Sequence, residues 1–499
     1  MSENFTSREL AENDVLACAA FLAENIKSGD GRAEAMSAIV PRYLAADNVD
    51  LAAELANTVD DPFSRDRLLI AVAERSAEID DVDYAFQLAD AIEDDGLCAQ
   101  ARERIALKVI VNGDIEKARE IAADMMHPDF VYAGIAVKQA EMGDEPAAFA
   151  TVGNIEFPGA RVLALQNITS ANIESGDAEK AIVTLEMAIE SSNEIEHDEE
   201  KIRSLCDIGN LYVEAGRNDL AVATYDAART QAELLDNTHR DFFLGSCALG
   251  FLHANSSELA ESTLDLVTDK TQMASALLGF AREYWKKEEK VEAIEALDEA
   301  YAILKSQREK ETRDSRARNV LMGSIATQFA GFGKTERAIE IAQENQDIDE
   351  TMSALSQIAQ ILTVQHEDGL AREAVNAIPE DSNRLLALLS ISDTKNRQGE
   401  IEDSIKVLDE ASDLAETVPQ PAARSSVLNE IAVRYAEYNL PEKARRVSLE
   451  NLHILYAIRD ESNLAKALAA ASQIYLKPGI EVSEDEKNIL RNLTAKVGW

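Results

Sequence analysis

The sequence predicts an all-α solenoid of about twelve helical hairpins, with a capping helix or hairpin at each end. Three observations predict it: a small residue recurs at near-fixed steps, the apolar residues around it follow helical spacing, and Gly or Asn fills most of the intervening turns. Ala52, Ala85, Ala118, Ala148, Ala181, Ala221, Ala260, Ala293, Ala338, Ala371, Ser404 and Ala444 are separated by 33, 33, 30, 33, 40, 39, 33, 45, 33, 33 and 40 residues. A single hairpin cannot bury its apolar face alone, so a period of this length means hairpins stacked on one another. Such a stack offers an extended binding surface rather than a catalytic pocket.

Taken in order, residues 1–31 form an N-terminal cap. Its helix covers 7–28 and carries Leu10, Val15, Leu16, Ala19 and Leu22. The repeat array covers 32–462. In the unit referenced to Ala221, the apolar residues before and after Gly216 recur at three- and four-residue steps, so two amphipathic helices meet at that glycine. Thirteen residues before each reference stand Ile39, Val72, Ile105, Ile135, Ile168, Ile208, Cys247, Phe280, Ile325, Ile358, Ile391 and Ile431. The next position is small in every unit but the first, where Val40 stands, because the two helices cross there. Five residues before the reference, Gly113, Gly143, Gly176, Gly216, Gly333, Gly399, Asn255 and Asn439 suit a left-handed helix end. Asp or Glu often follows, as at Asp114 and Asp177, where it can cap the second helix. Pro62, Pro128, Pro158, Pro379, Pro419 and Pro421 fall between units, and the longer steps place extra residues around 189–202, 229–240, 301–318 and 412–424. Residues 463–499 are a C-terminal cap, a final hairpin turning at Pro478-Gly479. Such caps shield the terminal faces of a solenoid from water.

The pattern resembles the tetratricopeptide repeat (TPR). Leu205, Gly209, Tyr212, Ala221, Tyr225 and Ala228 match the family positions, and so do Leu277, Phe280, Ala281, Tyr284, Ala293, Leu297 and Ala300. The resemblance spans 32–460 and departs from the family at Gln139, Asn172 and Lys395, where Tyr is usual. It implies a right-handed solenoid whose first helices line a concave groove. The groove positions carried onto the central units are Arg203, Cys206, Asn210 and Val213, then Phe242, Gly245, Leu249 and Leu252, then Ser275, Leu278, Arg282 and Trp285. Arg203, Asn210, Phe242, Leu249, Leu278, Arg282 and Trp285 are the partner-binding candidates, joining apolar anchors to polar groups that can meet a peptide backbone. The alternative is that Phe242, Leu249 and Trp285 pack between units. Cys206 occupies a position often held by Lys in carboxylate-clamp members, which argues against capture of a chain terminus.

Charge is the second strong feature. The chain has 92 acidic against 49 basic side chains, a formal net charge of −43, which disfavours a nucleic-acid partner. Two readings stay open: a solvated surface, perhaps of a salt-adapted host, or an acidic groove that recruits a basic partner. Against this trend, Arg32, Arg65, Arg161, Lys201, Arg240, Arg318, Arg384 and Arg424 stand just ahead of the first helices, where a cation is poorly placed. They are read as a structural ladder tying each hairpin to an acidic neighbour, with a stripe for anionic ligands as the alternative.

No catalytic motif is visible. Cys18, Cys98, Cys206 and Cys247 lack C-x-x-C spacing and read as small buried hydrophobes. The six histidines show no ligand spacing, so neither metal nor cofactor is expected. Gly331-Phe332-Gly333-Lys334-Thr335 is not a phosphate loop, since Gln328 stands where the first Gly is needed and no strand precedes it. No apolar run approaches the roughly 18 residues of a membrane span, and no secretory leader is seen, so a reducing cytoplasm is the expected setting. The sequence therefore points to a non-catalytic scaffold that binds a peptide segment. The alternative is a ligand- or peptide-responsive regulator acting through a separate output protein.

Overall fold

The computed structural model describes residues 5–307, 315–477 and 480–496, and helix is the only regular structure among them. Contacts divide the chain into two compact units, one of Met1–Asn112 with Thr363–Trp499, the other of Gly113–Leu362. The first unit opens with α1 (Arg8–Ala11), α2 (Val15–Glu24), α3 (Gly29–Ala45), α4 (Val49–Ala56), α5 (Pro62–Glu78), α6 (Val82–Asp90) and α7 (Asp95–Val111). The second begins with α8 (Ile115–Ala123), α9 (Asp129–Glu141), α10 (Glu145–Val152), α11 (Pro158–Glu174), α12 (Ala178–Asn193), α13 (Asp198–Glu214) and α14 (Asn218–Leu234). It continues through α15 (Arg240–His253), α16 (Ser257–Leu264), α17 (Lys270–Lys286), α18 (Lys290–Ser306), α19 (Ser315–Gly331), α20 (Thr335–Gln343) and α21 (Ile348–Val364). The chain then returns to the first unit with α22 (Asp368–Asn376), α23 (Asp381–Arg397), α24 (Ile401–Ala415), α25 (Pro421–Glu437), α26 (Pro441–Leu455), α27 (Glu461–Ala471), a 3-10 turn at Ser472–Leu476, and α28 (Glu484–Thr494).

From α3 to α26, a first helix alternates with a second across a three-residue turn. The turn is made where the sequence places it. Gly113, Gly143, Gly176, Gly216, Gly333 and Gly399 have φ between +72° and +91°, and Asp47, Asp80, Asn255, Glu288, His366 and Asn439 take φ of +58° to +70° at the equivalent position. The next residue starts the second helix: Asp114, Asp144 and Asp177 accept backbone N–H bonds from Lys117, Ala147 and Lys180 at 3.0, 3.1 and 3.2 Å. The reference residues are fully buried at the helix crossings, none more than 2% exposed among the alanines. Step length follows the second helix. It is 8 or 9 residues long in α4, α6, α8, α10, α16, α20 and α22, and 15 to 17 in α12, α14, α18, α24 and α26. Where Tyr is usual in the resembled family, Lys395 is buried instead and holds Asp368 and Glu400 at 2.8 and 2.9 Å.

The cations expected just ahead of the first helices lie inside their first turns, Arg240 as the first residue of α15 and the others one turn in, and they do more than meet an acidic neighbour. Arg32 donates to the carbonyls of Ile26 and Thr58 at 2.9 and 3.2 Å, Arg240 to that of Leu266 at 3.2 Å, and Arg318 to that of Leu304 at 3.1 Å. These carbonyls lie at or just beyond the C-terminal ends of helices, where a cation is favoured, and this offsets its poor place at an N-terminus. Arg161 and Arg424 instead meet Glu194 and Glu450 at 3.0 and 2.6 Å, and Arg384 pairs with Asp381 on its own helix. A partner row went unread in the sequence. Asp66, Asp129 and Asp241 accept pairs of N–H bonds from Glu93 and Asp94, from Glu156 and Phe157, and from Thr268 and Asp269, at 2.6 to 3.1 Å. Each carboxylate thus fixes the entry to the following hairpin.

The chain ends differ from the expectation of one helix over 7–28 and two separate caps. Asp14 interrupts the first run, accepting from the Ala17 amide at 2.7 Å and starting α2 afresh. The sequence of α2, Val-Leu-Ala-Cys-Ala-Ala-Phe-Leu-Ala-Glu, is apolar nearly all round, so it needs neighbours on several sides. It finds them in α27, α3, α1 and α28, while α27 also packs on α3 and α25. A helix from each end of the chain therefore forms a closing pair inside the first unit. Beside it, Lys466 Nζ on α27 reaches Glu34 on α3 at 3.0 Å. The Pro478-Gly479 turn lies outside the described residues.

Candidate functional site

The first helices α13 and α15 lie side by side, and the second helix α14 sends Tyr225 between them. Tyr225 is fully buried, and its ring fits only because two glycines face it. A Cβ on Gly209 or on Gly250 would each lie 2.4 Å from its Cε1. The hydroxyl emerges at the far side and donates to Asn210 Oδ1 at 2.7 Å. Burial pushes the phenol well above its ordinary range, so it stays a neutral donor.

Above this ring opens a pocket of about 400 Å³, and Arg203, Asn210, Phe242 and Leu249 all line it. Four of the seven residues expected from the sequence thus converge on one place. Phe242 is 48% exposed and meets Phe243 edge to face at 5.3 Å. Leu249 leans toward α17, where its Cδ2 would lie 3.0 Å from a Cβ on Gly279. Asp207, Ser246 and His253 add polar groups to the lining that sequence reasoning did not name. Burial pushes the Asp207 carboxyl up, with Arg203 pulling it back. Burial also lowers the His253 imidazole against the opposing pull of Glu283, whose carboxylate lies 3.2 Å from Nε2. At neutral pH this histidine is an uncharged hydrogen-bonding group. Next to the pocket, and sharing Arg203 with it, a second depression of about 510 Å³ is walled by Asp198, Glu199 and Glu200.

The other three candidates lie elsewhere. Leu278 is only 5% exposed and packs inward, so it presents no side chain to a ligand. Arg282 is exposed and donates to Gln328 at 2.9 Å. Trp285 stacks on Phe332 at 4.0 Å and 13°, with Lys290 5.3 Å above the ring, and so joins α17 to the turn before α20. That turn contains Gly333 with φ of +72° and connects two helices. The cysteines also meet a neighbour the sequence did not suggest: Cys206 and Cys247 have their sulfurs 3.8 Å apart, beside the pocket. Among the described residues, no group of three or more His, Cys, Asp or Glu side chains is placed to hold a metal ion. Nor is any described helix long and apolar enough to cross a membrane.

Paired helices, small residues at their crossings and a left-handed residue in each turn define the architecture. The fold is that of a TPR-like helical repeat. No protein-family model and no curated protein matches the chain. Among solved structures, the chain is similar to Ton1535 from Thermococcus onnurineus NA1, with 19% identity over 65% of this chain and 98% of that one at a TM-score of 0.25. It is also similar to the APC/C hetero-tetramer Cut9-Hcn1 (15% identity, 91% and 93% coverage, TM-score 0.24) and to a circular tandem repeat protein with novel repeat topology (15%, 97% and 95%, TM-score 0.13). At such scores these likenesses carry nothing about function.

Proposed function

We propose that the protein is a non-catalytic interaction scaffold that holds a peptide segment of a partner protein against its first helices at α13 and α15. One observation carries this reading: Arg203, Asn210, Phe242 and Leu249, carried over from the groove positions of the resembled family, line one pocket. An exposed aromatic beside a half-buried leucine offers apolar anchorage, and an amide and a guanidinium can meet a peptide backbone or a carboxylate. Arg282 and Trp285, on α17 and outside this pocket, are proposed only as flanking contacts for a longer segment. The setting is a reducing cytoplasm, in keeping with four free cysteines.

Selection from a random peptide library tests it, using the intact chain as bait. Enriched peptides should lose binding at least tenfold with Phe242→Ser or Arg203→Ala and keep it with Val183→Ser, a substitution at an exposed position on α12. Enrichment of nothing, or binding indifferent to the first two substitutions, removes the pocket from consideration. A basic partner is the finer form of the proposal, with Lys or Arg of the segment meeting Asp198, Glu199 and Glu200. In that case enriched peptides carry a basic residue beside the apolar ones, and affinity falls with added salt. A responsive regulator is the second form, and it predicts a change in radius of gyration on adding the selected peptide, which a passive scaffold lacks.

A further inference from the structure

We propose that Cys206 and Cys247 are a redox modification site, a dithiol that a hydroperoxide converts into a disulfide joining α13 to α15. The two residues are 41 positions apart in sequence, yet their sulfurs touch at 3.8 Å and both are free. They sit on consecutive first helices, and access comes from one side only: Cys206 forms part of the pocket wall, whereas Cys247 is fully buried behind it. Cys18 and Cys98 have no such thiol partner in contact.

The chemistry follows from that asymmetry. The contact with Cys206, then burial, push the Cys247 thiol up, so it stays protonated while Cys206 meets the oxidant first. The Cys206 sulfur attacks one peroxide oxygen. The O–O bond breaks, Cys206 becomes a sulfenic acid, and its former proton leaves with the other oxygen as water or an alcohol. The Cys247 sulfur then attacks the sulfenic sulfur. The S–S bond forms as hydroxide departs with the Cys247 proton as one molecule of water. In total two thiols lose two electrons and the peroxide gains them. The sulfurs must close from 3.8 Å to about 2.05 Å, which draws α13 toward α15 beneath Tyr225 and narrows the pocket. In a reducing compartment such a bond is transient, as a sensing disulfide must be. The inference stands apart from the peptide reading, since bond formation needs no partner.

The test uses the full chain carrying Cys98→Ser, which removes the half-exposed thiol that could couple two molecules. Native protein is exposed to dilute hydrogen peroxide, digested without reductant and mapped by mass spectrometry. The expected result is one cross-linked pair of peptides containing Cys206 and Cys247, with loss of two hydrogens per chain. The thermal midpoint should rise and return on adding dithiothreitol, and should not move in Cys247→Ala. Sulfinic acid on Cys206 without a cross-link would overturn the proposal. So would a cross-link that forms only in denaturant, or a thermal shift that persists in Cys247→Ala.

Discussion

A single ring shows how tightly side-chain size is set in this chain. Tyr225 is held between Gly209 and Gly250 with no room for a methyl group on either. Gly209→Ala and Gly250→Ala should each cost about 1–3 kcal/mol, the usual penalty of overpacking a filled site. Adding Tyr225→Leu to either should recover part of that loss in urea denaturation, whereas two independent effects would simply add. Asp241 offers a second test. Burial raises its pKa, but the N–H groups of Asp269 and Thr268 and the Thr268 hydroxyl outweigh it, and the carboxyl ends below its ordinary range. A depressed carboxyl stabilises the fold above its unfolded pKa, and that contribution is lost as pH falls through the folded value. The deficit of Asp241→Ala should therefore be largest near neutrality, about 1–3 kcal/mol for two amides left unpaired. It should shrink on acidification below about pH 4. Gly209 was legible as a crossing residue because it lies in its own repeat register. Gly250, Asp241 and the Cys206–Cys247 contact were not, because each acts on the neighbouring hairpin and spacing along one helix carries no sign of it.

Among helices and turns, legibility was high. The period and the Gly or Asn signal located eight left-handed turn residues to the position, whereas Asp47, Asp80, Glu288 and His366, which carry no such signal, were not named although they stand at the same step from their reference residues. These side chains hold φ near +60° at a cost of roughly 1 kcal/mol each. Glu288→Gly should stabilise the α17–α18 hairpin by up to about 1 kcal/mol, and Gly216→Ala should weaken α13–α14 by a similar amount. Thermal melts of the two variants should move in opposite directions, and parallel shifts would refute the turn argument. The lengths of the second helices were readable from the step sizes as well. The break before α2 was not, because Asn13-Asp14 interrupts an apolar run that otherwise continues.

For the whole chain, the least legible feature is the pairing of its ends. Val15 and Leu22 on α2, and Leu468 and Ala469 on α27, are buried in one unit, although their sequence separation leaves no periodic trace. Leu468→Ala should cost about 2–5 kcal/mol. Hydrogen exchange should then quicken in α2 and α3 as well as in α27. Faster exchange confined to 461–496 would mean that the two ends are not coupled. The pairing also sets a schedule for the protein's synthesis. Residue 24 emerges 437 residues before residue 461, so at 5–20 residues per second α2 waits roughly 20–90 s for its partner. Throughout that interval an almost wholly apolar helix has part of its surface uncovered. A nascent-chain chaperone would find its natural client there, and ribosomes stalled before α27 would release a chain prone to aggregate.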